Sequence, residues 1–203
     1  MVNRRMIIRL LLAILICGGG NLLSNTRTVL LHVEQPALPW MESAITQKVA
    51  QHLTRNRDLR VVLSERLGEE TPPFPHAAYD VDSLIDWGRE LGMRYLLVVQ
   101  VAKERLEIQK KTGIPLLLHR WETVGVVQGE YRLLDLQRGR MLAAEPFREI
   151  CCARRVIQGD PDNNRDDPDL VLRASEKLDL FDRLENRLAE RLATRTKMLM
   201  RGR

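Results

Sequence analysis

Cysteine is scarce in this chain of 203 residues, which holds Cys17, Cys151 and Cys152 and no others. No Cys-Xaa-Xaa-Cys pair is present, and His32, His52, His76 and His119 are scattered without ligand spacing, so a zinc site has no support. Also missing are a Gly-Xaa-Ser-Xaa-Gly elbow, a phosphate-binding glycine loop and a dinucleotide fingerprint. These absences argue against an enzyme of recognised class and against a cofactor. For an enzyme assembled only in space, His76 and His119 are the least implausible bases. No apolar run reaches the length of about 20 residues with which a helix crosses a bilayer. Asp160, Asp162 and Asn164 alternate as in a calcium loop, but Arg165 stands where such a loop turns on glycine and Val171 where it needs a glutamate. A solvated loop without metal is expected there.

What is present is a globular balance, 44% apolar and 29% charged residues, on a chain long enough for one ordinary domain. The net charge of +5 does not point to nucleic acid, because Arg4, Arg5 and Arg9 supply three of the five and the rest of the chain is close to balanced. Arg191, Arg195, Lys197, Arg201 and Arg203 make a locally basic end, read as a solvated helix terminus with contact to anionic lipid as the alternative.

Arg4, Arg5 and Arg9 precede an apolar run from Leu10 to Cys17, which stops at Gly18, Gly19 and Gly20. A basic front, a short apolar middle and a small-residue end read as an export signal, so residues 1–24 are expected to be a signal peptide or membrane anchor and 25–203 a single α/β domain. Cys17, at the end of that run and ahead of a glycine tether, looks like the lipid-attachment site of a bacterial lipoprotein, although Ile16 stands where a small residue is usual. Cys151 and Cys152 are adjacent. In a strand their side chains point to opposite faces, so they are read as two small, semi-buried residues, with an intermolecular disulfide as the sharper alternative.

Along the domain, Thr28 to Val33 reads as a buried strand. A helix begins near Pro39 and continues through Ala44, Ile45, Val49 and Leu53 to about Arg55; Leu59 to Leu63 is the next strand. After a proline-rich loop, Asp80 caps a helix carrying Leu84, Ile85, Trp87 and Leu91, which Gly92 ends. Arg94 to Val101 is the most apolar strand and should be central, extending towards Ile108. Glu122 to Leu136 and Arg140 to Phe147 form a hairpin about Gly139, with residues up to Ile157 continuing the edge. From about residue 168, capped by Asp167, a last helix sets Val171, Ala174, Leu178, Phe181, Leu184, Leu188 and Leu192 on one stripe. The expected fold is α+β with an α/β-like front half: a mixed sheet of about five strands, helices packed on one face, in the order β-α-β-α-β-β-β-α.

Between two charged strands, Ile114, Leu116, Leu117, Leu118 and Trp121 form an apolar stretch. Such patches mark contact surfaces, so these residues are the candidate partner-binding site, against the alternative of burial under the last helix.

Residues Thr28 to Phe147 resemble a group of bacterial envelope domains: the curli secretion channel lipoprotein, the lipoprotein activators of penicillin-binding proteins, and the N-terminal domain of the Tol-system propeller protein. The resemblance rests on Leu59 to Leu63 after the opening strand and helix, on Leu91-Gly92 leading into Met93 to Gln100, and on Tyr131 to Leu136 preceding Gln137 to Met141. Gln100 replaces a common glycine, and Gln137-Arg138 the usual Thr-Gly approach. The resemblance implies a non-catalytic periplasmic or outer-membrane protein that binds an envelope protein partner in secretion, outer-membrane or cell-wall processes, held to the membrane by its N-terminal segment or lipid. Homo-oligomerisation stays open. An enzyme of unrecognised class and a basic adaptor at a membrane surface are the competing readings.

Overall fold

The computed structural model describes residues 27–35, 44–55, 59–68, 71–75, 80–112, 119–158 and 168–202. The first β-rich run forms β1 (Arg27–Glu34), the amphipathic segment after it α1 (Ile45–Thr54), and the next run β2 (Leu59–Leu63), which passes into a 3-10 turn at Ser64–Arg66. Then come α2 (Val81–Glu90), β3 (Tyr95–Thr112), β4 (His119–Asp135), β5 (Arg140–Gln158), a 3-10 turn at Pro168–Leu170 and α3 (Ala174–Met200). One sheet of 5 strands runs β2-β1-β3-β4-β5, parallel from β2 to β3 and antiparallel from β3 to β5. The α+β class, the mixed sheet and the order of elements are as expected.

Local chemistry explains several boundaries. Asp80 caps α2: its Oδ2 accepts from the Ser83 backbone N–H at 3.3 Å and from the Ser83 hydroxyl at 2.9 Å. Gly92, at φ 67°, supplies the left-handed residue that ends the helix, as Gly139, at φ 62°, does for the β4–β5 turn. Leu96, Leu97, Val98 and Val99 are buried on both faces of β3, as its central place requires.

The helices occupy both faces of the sheet, against the expectation of one. Val29 and Leu31 of β1 pack in a large core with α1 and α3, whereas Leu30 packs in a second core with Leu84, Ile85 and Trp87 of α2. The cause is the sheet order. The chain steps from β1 out to β2 and then back across β1 to β3, and right-handed crossovers in opposite directions put their helices on opposite faces.

The last helix also starts later than expected, at Ala174, because Pro168–Leu170 is spent in a separate turn. Arg154 of β5 donates to the Asp169 carbonyl at 2.9 Å and to Glu176 Oε1 at 2.6 Å, while Glu176 Oε2 accepts from the Arg173 backbone N–H at 2.7 Å. These contacts fix the helix start at Arg173 instead of Asp167. The buried stripe runs Leu180, Phe181, Leu184, Leu188, Ala189, Leu192, Ala193; Val171 and Leu178 are 63% and 48% exposed and do not belong to it. Two further ion pairs bind α3 to β5, Arg191–Glu149 at 2.5 Å and Arg195–Glu145 at 2.7 Å, and the Tyr131 hydroxyl donates to Glu145 at 2.7 Å.

A bulge in β3 between Val101 and Lys103 faces Gly129 of β4. A Cβ on Gly129 would lie 1.9 Å from the Gln100 carbonyl oxygen, so only glycine fits. Beyond the bulge, Glu104 pairs with the core residue Val127 and lies on the face covered by α1 and α3.

Candidate functional site

Of the candidate partner-binding residues, Trp121 lies in β4, and Ile114, Leu116, Leu117 and Leu118 fall outside the described residues, as does Cys17. Strands β3 and β4 remain paired out to Thr112 and His119, so the candidate segment links the far end of a long ribbon. Leu106 and Ala153 are the outermost residues of this ribbon packed on the main core, among the described residues. Past them, Trp121 pairs with Lys110 and Val156, the Lys110 ammonium sits 5.8 Å from the Trp121 ring centroid, and Ile157 beside Arg120 is 65% exposed. Glu122, only 8% exposed in its side chain, accepts a hydrogen bond from Arg155 Nε at 3.0 Å and forms an ion pair with Arg120 Nε at the same distance.

A second site lies where β1 and β2 stop, at the level of Gln100 in β3 and short of the ribbon's far end. The chain leaves β1 towards α1 on one face and leaves β2 towards α2 on the other, and the carboxyl ends of parallel strands that part in this way form the crevice where open α/β sheets take ligands. An open pocket of about 300 Å³ occupies it, lined by His32 and Val33 of β1, Ser64 and Glu65 after β2, Thr71, Phe74 and Trp87 with their neighbours. Leu31 pairs with Leu63, so His32 and Ser64 come next in register; His32 Nδ1 and Ser64 Oγ are 2.8 Å apart. The imidazole stacks on Phe74 at 3.6 Å between centroids, Phe74 meets Trp87 edge-on at 5.3 Å, and the Trp87 indole N–H donates to the Pro72 carbonyl at 2.9 Å. Glu34 lies 3.7 Å from His32 Nε2, beyond hydrogen-bond reach, so it does not hold the imidazole as the third member of a nucleophilic triad would.

Sequence reasoning missed His32. Of the preferred histidines, His76 lies outside the described residues, and His119 ends the ribbon and does not line this pocket. The available signal was a polar residue near the carboxyl end of an otherwise apolar parallel strand.

A cluster of charges is also buried under α1 and α3. The Lys48 ammonium of α1 reaches Glu185 Oε2 at 2.6 Å and Asp182 Oδ1 at 2.8 Å, both on α3. Burial works against the Lys48 charge, but the two carboxylates outweigh it and raise its pKa. Glu104 is 6% exposed, and burial together with Glu185 pushes its carboxyl up to about 7, against a smaller pull from Lys48.

Cys151 is buried in the core, and Cys152 lies half-buried with its thiol 3.3 Å from the Arg154 carbonyl; both are free. The basic terminus is largely occupied within the molecule: beside the two arginine pairs, Lys197 donates to the His52 carbonyl at 2.7 Å. Among the described residues there is no group of three or more potential metal ligands, and no helix is long and apolar enough to cross a membrane. Asp160, Asp162, Asn164 and Arg165, where a solvated loop without metal is expected, lie outside them.

No family model matches the chain, and no curated protein does. Solved structures do resemble it. The protein XCC0632 from Xanthomonas campestris is 7% identical, with a TM-score of 0.51 over 88% of this chain and 87% of that one. Lipoprotein GNA1162 from Neisseria meningitidis is 14% identical, with a TM-score of 0.37 over 83% of this chain and 99% of the other. TolB from Acinetobacter baumannii is 11% identical, with a TM-score of 0.36 over 60% of this chain; the match spans 23% of TolB's length. The likeness to XCC0632 is one of fold.

Proposed function

We propose that this chain is an exported protein of the bacterial cell envelope, periplasmic or associated with the outer membrane, that works as a non-catalytic binding or assembly module. Residues 1–24 direct export, Cys17 takes the lipid that holds the protein to a membrane, and an envelope protein docks on Ile114, Leu116, Leu117, Leu118 and Trp121. The observation that carries this reading is the ribbon of β3, β4 and β5 running on past the main core, with Trp121 and exposed Ile157 at the end where the apolar segment joins β3 to β4. An apolar end on a charged ribbon is a contact surface. The fold supports the reading without fixing the partner.

The test is capture of partner proteins from envelope extract with the wild type and with Leu117→Asp. The variant is expected to lose a partner that the wild type recovers while keeping the wild-type circular dichroism and thermal midpoint. A folded Leu117→Asp protein that recovers the same partner removes the site, and one that unfolds makes the segment core. Mass spectrometry of the mature N-terminus tests the rest: a diacylated Cys17 is expected, and an intact Met1 on cytosolic protein overturns the localisation.

A further inference from the structure

We propose that the pocket at the carboxyl ends of β1 and β2 binds a small organic ammonium ion, a function separate from partner docking at the ribbon end. The chain has 32 Lys and Arg against 27 Asp and Glu, yet among the described residues the pocket's lining contains no Lys or Arg and one carboxylate, Glu65. The polar groups next to that carboxylate also present acceptors. His32 Nδ1 and Ser64 Oγ share one hydrogen bond at 2.8 Å, and in the tautomer that carries its proton on Nε2 the Ser64 hydroxyl is the donor. In that tautomer the Ser64 oxygen keeps its lone pairs for a ligand that donates hydrogen bonds. Phe74 and Trp87 supply aromatic walls, which favour a cation over a neutral or anionic group of the same shape. A volume of about 300 Å³ suits a small molecule or one side chain.

The full chain is titrated with benzylamine, benzyl alcohol and benzoate, followed by ligand-observed NMR. Benzylamine is expected to bind saturably, benzyl alcohol about tenfold more weakly and benzoate more weakly still. Glu65→Gln, at an exposed position, is expected to weaken benzylamine by about tenfold with no change in thermal midpoint, and Ser64→Ala to weaken it as well. N-acetyl-lysine amide carries the same ammonium on a peptide side chain. Its tighter binding assigns the site to a partner's lysine, and tighter benzylamine binding assigns it to a free amine. No saturable binding of benzylamine, equal binding of benzoate, or a folded Glu65→Gln protein with unchanged affinity overturns the proposal. None of these outcomes depends on Leu117.

Discussion

Lys48 on α1 and Glu185 on α3 meet at 2.6 Å with side chains 11% and 3% exposed, which makes a buried ion pair one polar joint between the two helices on one face of the sheet. The Ala44 backbone N–H also donates to Glu185 Oε1 at 3.2 Å, so both carboxylate oxygens are used. Removing one member strands the other's charge. Lys48→Met should destabilise the domain by about 3–5 kcal/mol, and adding Glu185→Leu should recover much of that loss. Asp182 is 62% exposed, so Asp182→Asn should cost no more than about 1 kcal/mol. Denaturant unfolding of the three variants measures this, and a Lys48→Met protein as stable as wild type would contradict it.

Glu104 makes stability depend on pH in a direction opposite to that of most carboxylates. Its folded pKa is about 7 and its ordinary value 4.5, so between these values the folded protein holds a proton that the unfolded chain has released. The contribution is fully present below about pH 4.5, is lost as pH rises to about 7, and is flat above, a change of up to about 3 kcal/mol. Glu104→Gln should therefore be more stable than wild type at pH 8 and should lose the decline between pH 5 and 7. Midpoints measured across that range decide it; parallel curves for the two proteins would mean that Glu104 keeps its ordinary pKa in the fold.

Much of this architecture is written in local patterns, and the parts that are not have identifiable causes. Asp80, Leu84, Ile85, Trp87 and Gly92 mark α2 completely, because cap, stripe and terminator fall within one short segment. The face that α2 covers is a property of sheet order, which no local period encodes. Local pattern puts the start of α3 too early because Asp167-Pro168 has good capping chemistry, and the competing contact comes from Arg154 on a distant strand. In the same way, the apolar residues about Trp121 stand out by composition, while His32 takes its meaning from Ser64, 32 residues away, through the pairing of β1 with β2.

Gly129 is required by backbone contact rather than by a turn. Gly129→Ala would set a methyl group against the Gln100 carbonyl oxygen at the β3 bulge and against the Phe147 ring at 2.8 Å. Neither strand can yield without breaking ladder pairing, so a loss of about 2–3 kcal/mol is expected. Gly68→Ala is the control, since nothing among the described residues lies within 4 Å of its Cβ position, and it should be close to neutral. Thermal unfolding that finds the two variants alike would show that the bulge relaxes freely.

The paired cysteines should behave as two unlike thiols. Cys151 belongs to the core at 3% exposure, whereas Cys152 is half-buried and its thiol is pushed up by burial and by the Glu122 carboxylate. Alkylation requires the thiolate and access, and Cys151 lacks access while Cys152 is short of thiolate. Native protein treated with iodoacetamide near neutral pH should therefore label Cys152 several-fold more slowly than an exposed peptide cysteine, and Cys151 more slowly again until the domain unfolds. Consecutive strand residues face opposite sides of the sheet, so mild oxidation should join Cys152 to another thiol before it closes a bond to Cys151. Peptide mapping of the labelled and oxidised protein separates the two sites. Labelling of Cys151 ahead of Cys152 under native conditions would place the core-facing thiol in solvent and invert the assigned register of β5.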